Sequence, residues 1–215
     1  MKLSLHYLVR EPKIILQKNP LLLLLHGYGS NEEDLFSFAN ELPAEYFVVA
    51  VRAPFDLQYG SYAWYAINFD ANENKFSDLP QARNSRDLIA TFVNELQQNY
   101  PLDADKITLV GFSQGAILSY ATALSYPDKI KNVAALSGYL NLEIVKEDYL
   151  KNTFQNLNIF ISHGSQDQVI PVDWARKAPT TLNNLNIQNV FKEYPMGHGI
   201  NLQNFNDLKQ WLSKT

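Results

Sequence analysis

Cysteine is absent from this 215-residue chain. Its absence excludes disulfide scaffolds, thiolate nucleophiles and cysteine metal sites together. Histidine is scarce as well, with four in all, so any chemistry needing an imidazole has a short list of candidates. Basic charge is also short: 18 Lys and Arg stand against 22 Asp and Glu, for a net charge of −4. Such a chain lacks the basic stripe that neutralises phosphates, and no nucleic-acid partner is expected. The apolar run Leu21–Leu25 falls far short of the roughly 20 residues that span a bilayer. No stable membrane insertion is expected. The N-terminus, Met1-Lys2-Leu3-Ser4-Leu5-His6, has neither a long apolar stretch nor a small-residue cleavage site, which predicts no secretory signal and a cytoplasmic location. The length is too small for two typical domains plus a linker, and a single domain over 1–215 is expected.

What is present is an alternation of short apolar runs and longer helical patterns. Leu3-Leu5-Tyr7-Val9 alternates at period two and reads as an edge strand, with Ile14-Ile15-Leu16 as a partner. Leu21–Leu25, Phe47–Val51, Ile107–Val110, Val133–Leu136 and Ile159–Ile161 are apolar at almost every position, the pattern of strands covered on both faces. Val190-Phe191 marks a last, more polar strand. Between them, Ser30-Asn31-Glu32-Glu33 reads as a capping box opening a helix to about Leu42. Leu88, Ile89, Phe92, Val93 and Leu96 recur at helical spacing, closed by Pro101. Gln114–Ser125 is apolar nearly all round, which predicts a helix buried against the sheet. Pro171 occupies the place of a first helical residue, and Leu202, Phe205, Leu208 and Leu212 give a final amphipathic helix. Strands alternating with helices predict an α/β fold, a mostly parallel central sheet with helices on both faces. The one long irregular stretch, Ala53–Leu79, is rich in aromatics: Phe55, Tyr59, Tyr62, Trp64, Tyr65, Phe69 and Phe76.

Gly111-Phe112-Ser113-Gln114-Gly115 matches G-x-S-x-G, after an apolar strand and before a helix, the context that gives this short pattern meaning. There a serine sits on a tight turn with its hydroxyl exposed at the sheet edge. The following amide, of Gln114, lies at a helix N-terminus, where unsatisfied N–H groups favour an anion. Serine needs an adjacent base. His6 and His26 precede Ser113, and His163 has no acid after a strand between itself and Ser113. His198, in Gly197-His198-Gly199 after the Val190-Phe191 strand, fits the chain order nucleophile, acid, histidine. Asp167 follows Ile159–Ile161 and a turn, and is the acid candidate. Asp173, two residues after Pro171, suits the helix dipole better. The amide of Tyr28, in Leu25-His26-Gly27-Tyr28-Gly29, would supply the second oxyanion donor beside Gln114. His26 itself reads as structural.

Together these segments resemble the phospholipase/carboxylesterase family, which includes acyl-protein thioesterases. Leu25–Gly29 resembles its LHGxG loop, with Tyr28 in place of the common leucine. Arg52-Ala53-Pro54 resembles its R-A-P segment, and Tyr62-Ala63-Trp64-Tyr65 its aromatic segment near the substrate groove. Gly111–Gly115 matches GFSQG, Asp167-Gln168-Val169-Ile170-Pro171 resembles the acid motif, and Gly197-His198 the histidine motif. The resemblance implies an α/β-hydrolase fold without a separate lid domain, and hydrolysis of carboxylic esters or thioesters with no cofactor and no metal. Its substrates would be small-molecule or lipid-like esters, with Trp64, Tyr65 and Ile170 as candidate substrate contacts. Exposed aromatics leave room for a homodimer face. The competing reading is a non-catalytic ligand-binding protein on a hydrolase scaffold.

Overall fold

The computed structural model describes residues 3–69 and 75–215. In chain order the elements are β1 (Tyr7–Arg10), β2 (Asn19–Leu25), α1 (Glu32–Phe36), β3 (Phe47–Val51), β4 (Phe55–Asp56), β5 (Tyr62–Ala63), β6 (Ile67–Phe69), β7 (Lys75–Ser77), α2 (Leu79–Asn99), β8 (Leu102–Phe112), α3 (Gln114–Ser125), β9 (Asn132–Leu136), β10 (Asn158–Gly164), α4 (Val172–Ala175), α5 (Ala178–Asn184), β11 (Gln188–Tyr194) and α6 (Leu202–Leu212). Seven strands form one sheet in the order β1-β3-β2-β8-β9-β10-β11. Only β1 runs antiparallel, against β3; the other pairings are parallel.

The unbroken apolar strands follow from two covered faces. Successive side chains of a strand point to opposite sides. Leu21, Leu23 and Leu25, with Val49, Leu109 and Ile161, pack under α2, α3 and α5. Leu22 and Leu24, with Val48, Val110 and Phe160, pack under α1 and α6. No position of β2 faces water, so none of its leucines is free to be polar. The α/β-hydrolase expectation therefore holds at the level of layers and topology.

Several local expectations fail, each for a physical reason. Ile14-Ile15-Leu16 forms no strand: Ile15 is 84% exposed, the Leu16 amide is taken by the side chain of Asn19, and β1 pairs with β3 instead. The helix expected to reach Leu42 stops at Phe36, because the Ser37 hydroxyl donates to the Asp34 carbonyl at 2.6 Å and competes with the helical ladder. Its N-cap is Asn31, whose side chain accepts from the Glu33 amide, while Ser30 bonds the Asp34 carboxylate. Pro171 is the N-cap of α4 rather than its first residue. Leu202 is 73% exposed at the first turn of α6, so only Phe205, Leu208 and Leu212 of that stripe are buried. The stretch 53–79 is not irregular but carries two small hairpins, β4–β5 and β6–β7; the side chains of Phe69 and Phe76 lie outside the described residues.

The candidate active site

The sheet itself chooses the place. From β2 the chain moves one way to β3, and it returns on the other side to β8. In open parallel sheets, ligands bind in the crevice at the carboxyl ends of strands where the order reverses. The loops leaving β2 and β8 hold His26–Gly29 and Ser113.

Ser113 has φ 53° and ψ −115°, a conformation that costs a side-chain-bearing residue on the order of 1–3 kcal/mol. Close packing enforces it. A Cβ on Gly111 would strike the Gly115 carbonyl, and one on Gly115 would strike the Leu25 carbonyl, so α3 sits directly against β8 and β2. Ser113 is the N-cap of α3, yet its hydroxyl makes no capping bond. It is left to face His198, whose Nε2 lies 2.9 Å from Oγ. On the other side of the ring, Nδ1 lies 2.7 Å from Asp167 Oδ2. Asp167 Oδ1 accepts from the amides of Val169 (2.8 Å) and Ile170 (2.9 Å). Burial pushes the Asp167 carboxyl up. The bonds from His198 and from the Ile170 and Val169 amides outweigh it, and the group lies below the usual carboxylate range.

Two contacts bring the acid and histidine loops together. The Gln166 amide donates to the Met196 carbonyl at 3.0 Å, and Gly164 leaves room for the Gly197 carbonyl, where a Cβ would collide. Beyond the ring, the Ser137 hydroxyl donates to Gly199 O at 3.1 Å, and Phe112 packs beside the imidazole with ring centres 5.0 Å apart.

The amides of Tyr28 and Gln114 make no hydrogen bond to any other described group, and both residues line the groove that contains Ser113 and His198. Beneath them His26 is buried and its pKa is lowered, chiefly by that burial. Its Nδ1 donates to the Gly27 carbonyl at 2.7 Å, and its Nε2 accepts from the Ala53 amide at 3.1 Å. Both ring nitrogens are therefore spent on shaping the loop, as expected for a structural residue. Arg52, the first residue of the R-A-P segment, pairs through Nε with buried Glu32 at 2.8 Å and stacks over the Tyr62 ring.

The groove has a volume of about 610 Å³. Tyr65 and Ile170 line it, and Trp64 does not. Trp64 is fully buried: its indole N–H donates to the His26 carbonyl at 2.9 Å, and the Ser85 hydroxyl donates to its carbonyl. The expectation that it touches substrate is therefore corrected. The reason lies in Gln114, whose side-chain oxygen accepts from the Trp64 amide and whose side-chain NH₂ donates to the Tyr65 carbonyl, each at 2.8 Å. This clamp turns Trp64 inward and Tyr65 toward the groove. Sequence reasoning also misses further parts of the wall, among them the apolar and aromatic residues Ile67, Leu79, Ile117, Tyr139 and Trp174. They come from separate elements, and their only sequence signal is apolar or aromatic character shared with dozens of core residues. Among the described residues no group of His, Asp and Glu is arranged to hold a metal ion, and no helix is long and apolar enough to cross a membrane.

Known proteins resemble this chain in sequence and in fold. Residues 10–215 match the model of the phospholipase/carboxylesterase family. Acyl-protein thioesterase 1 of Kluyveromyces lactis is 34% identical over 159 residues, covering 71% of this chain and 68% of that protein. Acyl-protein thioesterase 1 of Yarrowia lipolytica is 26% identical over 206 residues, 90% of each chain. A carboxylesterase from Bacillus cereus superposes with a TM-score of 0.84 at 21% identity, covering 98% of this chain and 94% of that one.

Proposed function

The chain belongs to the phospholipase/carboxylesterase family and is a serine hydrolase of esters or thioesters; from that premise we propose that Ser113 is its nucleophile, His198 its base and Asp167 the acid that orients the base. The observation that carries this reading is the continuous hydrogen-bonded line from Ser113 Oγ through His198 to Asp167, opening into a groove. In the proposed cycle, Ser113 Oγ attacks the carbonyl carbon while its proton passes to His198 Nε2. The carbonyl oxygen becomes an oxyanion held by the Tyr28 and Gln114 amides, each worth on the order of 3 kcal/mol of barrier. Collapse of the tetrahedral species expels the alcohol or thiol, which takes the proton from His198, and leaves an acyl-Ser113 ester. Water, deprotonated by His198, then attacks that ester, and the carboxylic acid departs as Ser113 recovers its proton. Asp167, ionised throughout, keeps the His198 proton on Nδ1 and stabilises the imidazolium.

The acyl chain lies along Ile67, Leu79 and Ile117, with Tyr65 and Ile170 as nearer contacts. The relatives named acyl-protein thioesterases favour a thioester among the substrates, and the groove suits a small or lipid-like ester. The protein acts without a bound cofactor, in the cytoplasm. The test is labelling with a fluorophosphonate probe beside turnover of p-nitrophenyl esters and palmitoyl-cysteine peptides. The wild type should label and turn over. Ser113→Ala should stay unlabelled, with kcat down by at least roughly a thousandfold and its fold intact by circular dichroism. Equal turnover in the two proteins would overturn the assignment, and a wild type that neither labels nor turns over would favour a binding protein on the same scaffold.

A further inference from the structure

His163 plays no part in the steps above, yet it is fully buried against the acid loop. It lies in β10, one residue before that strand ends. Its Nε2 is 2.8 Å from the Ile170 carbonyl, which can only accept, so this nitrogen carries the proton. Asp167 Oδ2, the oxygen that faces His198, lies 3.2 Å from the same nitrogen, off the axis of that bond. The other ring nitrogen, Nδ1, is buried with no hydrogen-bond partner among the described residues. A buried nitrogen left unsatisfied costs stability. A side chain wanted only for packing would do better without one, so the N–H on the far side of the ring is what the position uses.

We propose that His163 is a positioning residue for the reaction, and this rests on the reading of Asp167 as the acid. Its N–H pins the Ile170 carbonyl, and with it the 167–170 turn whose amides hold Asp167 Oδ1. The same dipole shares the charge on Oδ2 with His198. The carboxylate is thus gripped from both oxygens, and its pull on the imidazolium is set by two histidines rather than one. The charged and titratable groups around His163 are Asp167 and His198 in the loops, and Glu193, its register partner on β11, which Arg176 pairs at 2.7 Å.

The experiment compares the full-length wild type with His163→Phe and His163→Gln, reading kcat, KM, the pH profile of kcat/KM and the melting temperature. Phe keeps a ring of similar size and removes the N–H; Gln returns an N–H donor. In His163→Phe the loosened turn should lower kcat about tenfold with KM nearly unchanged. Undivided charge on Oδ2 should then stabilise the imidazolium more, moving the acid limb of kcat/KM upward by about half a pH unit. His163→Gln should recover most of both effects. The proposal is overturned if kcat and the acid limb of folded His163→Phe match the wild type, if the loss sits wholly in KM, or if His163→Gln is no better than Phe. Should His163→Phe fail to fold, His163→Leu takes its place as the variant without the N–H: a loss of kcat and a shifted limb that His163→Gln recovers support the proposal, and an unchanged His163→Leu, or a His163→Gln no better than it, sinks it. Retained turnover in Ser113→Ala would instead count against the triad reading, whatever His163 does.

Discussion

The turn around Ser113 and the aromatic segment Tyr62–Tyr65, which reaches the groove only through Tyr65, are built by opposite means. At the turn the backbone does the work: Gly111 and Gly115 let α3 press against β8 and β2, and the serine is bent into a strained conformation in which its hydroxyl makes no capping bond and faces His198. In the aromatic segment side chains do the work: Gln114 clamps two backbone groups, and Trp64 is buried and bonded to the next loop. Chemistry set by backbone geometry can be lost without unfolding. A wall set by packing is lost by unfolding first. Substitutions in the two regions should therefore separate rate from stability.

The largest effect is expected on the chemical side. Asp167→Asn keeps an oxygen for the Val169 and Ile170 amides but turns an NH₂ toward His198, favouring the wrong tautomer. It should lower kcat roughly a thousand- to ten-thousand-fold with a much smaller change in melting temperature. Steady-state kinetics beside calorimetry would read both, and a collapse of the fold with little loss of kcat per folded molecule would break the contrast.

Trp64→Ala should behave the other way. It should cost about 3–5 kcal/mol of unfolding free energy, measured by urea denaturation, while the folded fraction keeps its preference among short and long acyl esters. A changed chain-length preference at undiminished stability would return Trp64 to the groove.

A finer test uses the carboxylate behind the aromatic segment. Burial raises the Glu32 carboxyl, but the hydrogen bond from Arg52, the residue's own backbone amide and the nearby charges of Arg52 and His6 bring it below the usual range. A carboxyl lowered in the folded state contributes stability above its unfolded pKa of about 4.3. That contribution fades as pH falls through the lower folded value. Glu32→Gln should therefore cost about 1–2 kcal/mol at pH 7, and the gap to wild type should close on acidification. Denaturation midpoints from pH 7 to pH 3 would show it; a gap that stays constant would mean that the ionised form of Glu32 adds nothing to the fold.

The same division explains what could be read from sequence. The layers were legible because a strand buried on both faces has no polar position, as in Leu21–Leu25. The meeting of Ser113, Asp167 and His198 was legible because each follows a strand in a fixed chain order, and parallel strands deliver those ends to one edge. The groove wall was not. Ile67, Leu79, Ile117, Tyr139 and Trp174 come from separate elements, and nothing local distinguishes an apolar residue that lines a groove from one that fills a core. Trp64 reads as a groove residue for the same reason: an aromatic-rich segment has one composition whichever way each ring turns, and the turn is decided by Gln114, fifty positions away. Helix ends were likewise hidden in single hydroxyls, as with Ser37, which ends α1 six residues earlier than the pattern suggests.

The bent backbone at position 113 implies a trade between endurance and turnover. Glycine adopts a φ of +53° freely, so Ser113→Gly should relax a spring that the working protein keeps wound. The resulting protein would be inert toward esters and yet more stable than its parent, with an unfolding free energy higher by on the order of 1 kcal/mol once the extra freedom of the unfolded glycine is set against the relief. Selection for heat resistance alone would push this chain toward losing its reactive hydroxyl.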